Sequence, residues 1–358
     1  MGPNGDILIV GGYGVVGRLI AGHLAPQFPG RVVIAGPEAA RGAALCRALG
    51  HGTRALRLDV NDSEQIGAAL NGVGTVMACV AQAEPRLLRA AVACGIGYTD
   101  IAPRLAFWEG AEELHRQAVE TGARVLLGAG LSPGISNMMA RKLADRVGRA
   151  ERIETSILLS LGDAFGADSL QHVVESLKHP FKLFRNGRYE TATPFSDPAR
   201  TLFSSLGPRA AYVFPWSDVV YYPKTLGVRT AVGRLALDPP WVGRLLRFLV
   251  KAGAPRWLEQ HGLLGKQSRV IERLKGACAG IDHFALRVTI EGAGQSASMS
   301  LTGHRQAEVT AAGGAELCRM LAAHEVSKPG VWLPEQVVSA DAFFSALERL
   351  GWHARLNE

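Results

Sequence analysis

The stretch that decides the fold is Leu8–Ala25, LIVGGYGVVGRLIAGHLA. A short apolar run ends in a cluster of glycines, and apolar residues then recur at helical spacing at Leu19, Ile20 and Leu24. The glycines fit G-x-G-x-x-G. This order of buried strand, glycine turn and helix is the context in which that motif binds a dinucleotide.

The three motif glycines have different mechanical roles. Gly12 permits a tight turn, Gly14 lets a pyrophosphate approach the backbone, and Gly17 lets the helix pack closely on the strand. The start of the helix offers unpaired N–H groups and a positive dipole end to phosphates. The alternative is a tight turn without a ligand. The sequence favours binding, and the residues predicted to bind the cofactor here are Gly12, Tyr13, Gly14, Val15, Val16 and Gly17.

Composition and charge exclude several classes of protein. The 358 residues are 47% hydrophobic and 20% charged, which is enough apolar material for a large core. The net charge is +7, but lysine and arginine are spread along the chain and no nucleic-acid-binding motif accompanies them. A phosphate-bearing small ligand and an ordinary solvated surface explain this charge.

Cysteine usage and hydropathy indicate where the protein works. The five cysteines are scattered, odd in number and without C-x-x-C, which argues against a disulfide framework or a structural zinc site. We therefore expect a reducing compartment, the cytoplasm, and no bound metal. No signal peptide is visible, and no apolar run approaches the length of a membrane span.

The chain reads as two domains and a closing segment. Strands and helices alternate through residues 1–132, a rhythm typical of a Rossmann-type, doubly wound parallel sheet. A second α+β domain on a mostly antiparallel sheet is predicted for residues 133–309. Its clearest feature is a hairpin, with strands at Phe284–Ile290 and Ser296–Leu301. Residues 310–358 are mostly helical and are expected to pack back on the first domain.

The end of the second strand bears on the choice of cofactor. An acid there normally takes the ribose 2′-hydroxyl of NAD. Here the strand ends at Gly36, which leaves room for a 2′-phosphate that Arg41 can reach. Glu38, an acid at about the right distance from the glycines, points to NAD instead. The residues themselves leave NADP and NAD open.

Several segments together resemble the saccharopine dehydrogenase family, in its saccharopine-reductase-like branch. The matching segments are GGYGVVGR at Gly11–Arg18, VVIAG at Val32–Gly36, YTDIAP at Tyr98–Pro103, AGLSPGISN at Ala129–Asn137 and KPGVWLPEQVVSADAFFSALERLG at Lys328–Gly351. The resemblance implies an NAD(P)-dependent reductase, and it favours NADP over NAD. One departure is Pro37, where the family often has an arginine. Residues 153–281, where substrate choice should lie, show no match.

Ligands of an open parallel sheet bind outside the carboxyl ends of its strands. The resemblance implies that three such ends border the nicotinamide and the substrate: Val80, Ala81 and Gln82; Tyr98 and Asp100; and Ser132, Pro133 and Gly134. Asp59 and Val60, which end the third strand, are added to the predicted cofactor site.

The residues at these ends suggest specific roles. Tyr98 and Asp100 are the predicted catalytic pair, in which the carboxylate stabilises a developing amine and the phenol relays a proton. The Gly134 turn can offer N–H groups to a substrate carboxylate. Helix capping or an ion pair is the structural alternative for Asp100, and capping is the favoured interpretation of Ser132 and Asn137.

Three functions stay open at this point. The resemblance implies an NADP-dependent reductase of an imine, or of a carbonyl plus an amine. Aromatic residues between Phe181 and Trp257 suggest a larger apolar substrate such as an enone, and a non-catalytic NADP-binding redox sensor is the third reading. We expect a small-molecule substrate, a homodimer, no nucleic acid and no stable membrane insertion. The helix Trp241–Lys251 is amphipathic; packing on its own domain is its usual role, and a membrane or an apolar partner is the alternative.

Overall fold

The computed structural model describes residues 5–82, 84–101, 105–163, 173, 175–261 and 281–357. The chain forms two compact units. The first comprises Met1–Met138 and Ala307–Gly351, and the second comprises Met139–Gln306 and Trp352–Glu358. The second unit therefore takes in the last residues of the chain, whose strand pairs within its sheet.

The first unit is built on a seven-stranded parallel sheet. Its strands, numbered in chain order, are β1 Asp6–Val10, β2 Val32–Gly36, β3 Arg54–Arg57, β4 Val73–Ala78, β5 Gly97–Asp100, β6 Arg124–Leu126 and β15 Gly330–Trp332. Their order across the sheet is β15-β6-β5-β4-β1-β2-β3. The apolar runs of β1 and β2 are buried, as expected for strands covered on both faces. The strand order reverses between β1 and β4, so a ligand crevice is expected at their carboxyl ends.

Helices connect these strands. They span Val15–Leu24, Ala39–Leu49, Ser63–Ala69, Arg86–Ala93, Leu105–Glu112, His115–Thr121, Gln306–Ala322, Pro334–Val337 and Ala340–Arg349. Two short helices, Leu105–Glu112 and His115–Thr121, lie between β5 and β6. The predicted third strand, Arg54–Val60, ends earlier, at Arg57.

The second unit is built on a nine-stranded sheet. Its strands are β7 Arg152–Ser160, β8 Phe181–Arg185, β9 Arg188–Ala192, β10 Ala199–Leu202, β11 Pro208–Val213, β12 Thr230–Asp238, β13 His283–Gly292, β14 Gln295–His304 and β16 Arg355–Asn357. The sheet follows the path β10-β11-β12-β7-β13-β14-β16, and off this path β8 pairs with β12 while β9 pairs with β8. All its pairs are antiparallel except that of β7 with β12. The predicted mostly antiparallel sheet is confirmed.

The predicted hairpin is confirmed as β13 and β14. Gly292 faces Gln295, which leaves Ala293 and Gly294 as a two-residue turn with positive φ of 50° and 75°. A turn of this kind matches the twist of the paired strands, and a glycine at its second position relieves the strain of positive φ.

Aromatic side chains form much of the second unit's core. Phe195, Phe203 and Phe214 are buried, and Phe195 stacks on Tyr212 with 5.2 Å between ring centroids. These are among the aromatic residues that suggested an apolar substrate, and packing accounts for them. The helices here span Ser217–Thr225, Pro240–Lys251 and Ala254–Gln260; Ile135–Val147 runs from one unit into the other. Among the described helices, none has the length and apolar character needed to cross a bilayer.

Candidate active site

The glycines of the motif are needed for two different reasons: one for the packing of the fold itself, and another for space beside a bound phosphate. A Cβ on Gly17 would collide with the backbone carbonyl of Gly11, so the fold itself excludes a side chain there. A Cβ on Gly14 would meet only that carbonyl oxygen, at 3.2 Å, and Gly14 has an ordinary φ of −69°. The fold therefore needs Gly17 without a side chain but nearly tolerates one at Gly14. This is the pattern expected where a phosphate approaches the start of a helix.

The glycine turn is continuous with the end of β4. A Cβ on Gly11 would lie 2.5 Å from Cγ1 of Val80, and the Cys79 N–H donates to the Val10 carbonyl at 2.8 Å. Val80 and Ala81 are partly buried and Gln82 is buried. The structure thus brings the glycine turn and the predicted segment after β4 together at one edge of the sheet.

Asp100 ends β5 at this edge and is 4% exposed. Its Oδ1 accepts the Gly128 N–H at 2.9 Å, and its backbone carbonyl accepts the Ala129 N–H at 2.6 Å. Within the described part of the chain, its buried Oδ2 has no hydrogen-bond partner. The donor Gly128 belongs to the segment after β6, and sequence reasoning did not identify it as a partner of Asp100.

Burial raises the pKa of the Asp100 carboxyl to about 7, and the Gly128 hydrogen bond opposes that rise. Burial also raises the pKa of the nearby Cys79 thiol, with the Cys318 thiol and Asp100 adding to the effect. A carboxyl with a pKa near neutrality exchanges its proton readily, which is the property that acid–base chemistry requires.

Tyr98 lies two residues before Asp100, on the same face of β5. It is completely buried, and its hydroxyl accepts a hydrogen bond from Gln82 Nε2 at 3.0 Å. Burial raises the pKa of the Tyr98 phenol, and the neighbouring Asp100 adds to this. Tyr98 therefore stays protonated and holds Gln82, while Gln82 Oε1 is buried without a hydrogen-bond partner among the described residues.

At the carboxyl end of β2, the structure corrects the interpretation of Gly36. A Cβ there would lie 2.6 Å from the Tyr13 ring, so the tyrosine occupies the room that was assigned to a 2′-phosphate. The Tyr13 hydroxyl accepts the Glu38 N–H at 2.9 Å, and the Arg41 guanidinium lies over the ring, 4.7 Å from its centroid. Arg41 also pairs with Glu38 at 2.9 Å. The sequence missed this cluster, because Tyr13 and Glu38 are separated by 25 residues.

The turn at Ser132, Pro133 and Gly134 differs from the expectation. The Gly134 N–H donates to Asn137 Oδ1 at 2.9 Å, and the Pro133 carbonyl accepts the Gly130 N–H at 2.8 Å. The Gly134 N–H that was expected to bind a substrate carboxylate is therefore already paired. The favoured capping role of Asn137 agrees with this contact.

The end of β3 has a local structural role. Asp59 is exposed, its carboxylate accepts the Asn61 N–H at 2.9 Å, and Val60 is partly buried. These contacts shape the turn into the helix Ser63–Ala69, which Asp62 caps by accepting N–H groups from Glu64 and Gln65. Nothing in them requires a cofactor.

Other titratable side chains form pairs on the second unit. His304 contacts Asp282 at 2.6 Å and His179 faces Glu259 at 3.6 Å, both on exposed surfaces. His172 and Cys278 lie outside the described residues, as do Ala102 and Pro103 of the YTDIAP segment. Across the described ranges, no group of three or more His, Cys, Asp or Glu side chains is placed to hold a metal ion.

A glycine turn and a helix start at the switch point of a parallel sheet, with a buried carboxyl at the end of the nearby strand β5, indicate the class of protein. The chain is an NAD(P)-dependent oxidoreductase with a Rossmann-type domain. Residues 7–126 match the family described as saccharopine dehydrogenase NADP binding domain. The dinucleotide-binding domain therefore belongs to that family, which confirms the predicted resemblance and favours NADP as the cofactor.

One solved structure matches the fold over nearly the whole chain. Saccharopine dehydrogenase (L-Glu forming) of Saccharomyces cerevisiae is 15% identical, covers 99% of both chains and superimposes with a TM-score of 0.66. This match shows that the two proteins share a fold. GenD2 from gentamicin A biosynthesis, solved in complex with NAD, is 14% identical over 99% of this chain and 96% of its own, with a TM-score of 0.47.

Proposed function

We propose that this protein is an NADP-dependent reductase of an imine, or of a carbonyl together with an amine. One observation supports the proposal most directly: the buried carboxyl oxygen Asp100 Oδ2, which has no hydrogen-bond partner among the described residues, lies at the same sheet edge as the glycine turn. A buried polar atom without a partner is costly, and a catalytic role is one of the reasons for which folded proteins keep such an atom.

The residues present fit a bound dinucleotide. Gly14 leaves the start of the helix Val15–Leu24 clear, and the first N–H groups of a helix have no partners within it. Gly12, Tyr13, Val15 and Val16 complete this turn, and Val80, Ala81 and Gln82 extend it along the sheet edge. When bound, NADPH supplies the hydride, and the protein supplies orientation and exclusion of water.

Asp100 is proposed to hold the proton that the substrate nitrogen acquires. With a pKa of about 7, it is partly protonated at neutral pH and can either donate a proton or stabilise the resulting cation. Tyr98 is proposed as a positioning residue, because its hydroxyl contacts Gln82 rather than an open space. Ser132, Pro133 and Gly134 are retained as a wall of the proposed substrate site.

Arg41 is proposed to bind the 2′-phosphate of NADP. Its pair with Glu38 is solvent-exposed, with 58% and 60% of the two side chains accessible, and exposed pairs contribute only ~0–1 kcal/mol. A charge-assisted contact to phosphate contributes ~1.5–3 kcal/mol. Exchange of Glu38 for a phosphate is therefore favourable, and the Tyr13 ring keeps Arg41 near the end of β2.

The experiment is a screen for consumption of NADPH with mixtures of aldehydes and amines, and with enones in parallel. Turnover with an aldehyde only when an amine is present supports imine reduction. Asp100→Asn should then lower kcat by about 10²–10⁴-fold while the Kd for NADPH stays nearly constant. Turnover of enones alone would instead support the second candidate activity.

Asp6→Asn is the matched control. Asp6 lies at the opposite end of the same sheet, where it pairs with Arg54 on the surface. Both variants remove one carboxylate from the first unit. Because only Asp100 lies at the edge of the sheet that carries the glycine turn, only Asp100→Asn should lower turnover. Equal, small effects of the two substitutions would reduce Asp100 to a structural residue.

A further inference from the structure

The helix Pro240–Lys251 of the second unit has apolar side chains on two opposite faces. Val242 and Gly243 are buried, and a Cβ on Gly243 would lie 3.0 Å from the Tyr212 ring of β11. This is the face that packs on its own unit. The expected packing of the amphipathic helix is thus present, but it uses only part of the helix's apolar surface.

The outward face is apolar as well. Trp241, Leu245 and Phe248 recur at helical spacing and are 43%, 43% and 68% exposed. Trp257, on the next helix, Ala254–Gln260, is 54% exposed. Four of the nine large apolar side chains that are exposed in the described part of the chain therefore fall within 17 consecutive residues. A cluster of this kind on a surface indicates an interaction site.

Positive charges flank the cluster. Arg244 and Lys251 are exposed along one side of the outward stripe, and Arg256 is exposed beside Trp257. Within residues 240–261, Arg247 is a fourth basic residue, and Glu259 is the only acidic one. Glu259 is itself paired with Lys178 at 3.0 Å.

We propose that these residues form a peripheral docking surface for an anionic lipid bilayer. Tryptophan, leucine and phenylalanine on one face with arginine and lysine beside them are the features by which helices lie in the plane of a membrane interface. The charge pattern disfavours a second copy of the chain as the occupant, because two such faces would bring like charges together. An anionic bilayer matches both the apolar stripe and the basic flank.

The test is sedimentation with phosphatidylcholine vesicles, prepared with and without phosphatidylserine, using the full chain. We expect binding that is stronger with phosphatidylserine and that weakens with added salt. Phe248→Ser should reduce partitioning at least tenfold. Arg244→Gln and Lys251→Gln should each reduce it by about fivefold on vesicles containing phosphatidylserine.

Two further variants locate the contact. Leu202→Ser is the matched control, because Leu202 is another exposed large apolar residue of the same unit, on β10, at 54%. It should bind vesicles like the unmodified chain. Trp241→Phe keeps an apolar side chain but should remove part of the blue shift in tryptophan fluorescence that accompanies vesicle binding. Circular dichroism verifies that each variant is folded.

Three results would overturn the proposal. The first is that the chain binds neither kind of vesicle. If the chain also self-associates and Phe248→Ser abolishes that self-association, the face binds a second copy of the chain rather than a membrane. The second is equal loss of binding in Phe248→Ser and Leu202→Ser. The third is binding that does not depend on phosphatidylserine or on Arg244 and Lys251.

Discussion

Asp100→Asn should change how the stability of the protein depends on pH, and this effect can be measured without a substrate. In the folded chain the Asp100 carboxyl has a pKa of about 7 because it is buried. An aspartate in an unfolded chain has a pKa of ~3.9. Between these two pKa values, Asp100 is ionised in the unfolded chain but still protonated in the folded chain. The free energy of unfolding of the unmodified protein therefore falls as pH rises.

The size of the loss follows from the two pKa values. Below the pKa of the unfolded chain, both states hold the Asp100 proton, and the contribution of this group to the free energy of unfolding is fully present. That contribution is lost as pH rises through the pKa of the folded chain. From about pH 5 to about pH 8, this single group should lower the free energy of unfolding by ~2–3 kcal/mol. Asparagine has a similar shape and does not titrate, so Asp100→Asn should lack this component.

The assay is urea unfolding of both proteins at the two pH values, followed by circular dichroism. The quantity of interest is the difference between the unmodified chain and Asp100→Asn, because contributions of all other groups cancel in it. We expect the unmodified chain to lose about 2–3 kcal/mol relative to the variant between the lower and the higher pH. A difference that does not change with pH, or that changes in the opposite direction, would refute the argument from burial.

Three other predictions concern separate sites. Gly14→Val should fold normally yet weaken NADPH binding at least tenfold, measured by fluorescence titration. Gly17→Ala should instead lower the unfolding midpoint, because its methyl group meets the Gly11 carbonyl. Normal NADPH binding by Gly14→Val would contradict the assignment of Gly14 to the phosphate site. Arg41→Ala should cost ~1.5–3 kcal/mol of NADP affinity and spare NAD, while Glu38→Gln should favour NADP; equal weakening of both cofactors would make Glu38 the ribose ligand of an NAD enzyme. Asp238→Ala should destabilise the second unit by ~2–3 kcal/mol, since its buried carboxylate holds His283 at 2.7 Å and Arg209 at 3.0 Å, both partly exposed. Asp282→Ala, at the exposed pair with His304, is its control and should leave the urea midpoint nearly unchanged, and similar midpoints for the two variants would contradict the prediction.

Local pattern in the sequence was enough to predict the architecture of both units. The glycine motif between an apolar strand and a helix predicted the dinucleotide turn, because each glycine acts through backbone geometry within a few residues. Apolar runs separated by helical segments predicted the parallel sheet, and alternation around Ala293 and Gly294 predicted the hairpin of β13 and β14. These features depend on the period of the apolar residues and on turn chemistry, and both are set by residues that lie close together in the sequence.

The tertiary structure decided which groups are available for chemistry. Tyr13 fills the space over Gly36, Asn137 takes the Gly134 N–H, and burial raises the pKa of Asp100. The exposure of Trp241 and Phe248 likewise depends on which face of their helix meets β11 and β12. Each outcome depends on which side chains from other strands and loops arrive at a given point. Burial and hydrogen bonding are set by that three-dimensional neighbourhood, so the spacing of residues along the chain does not reveal them.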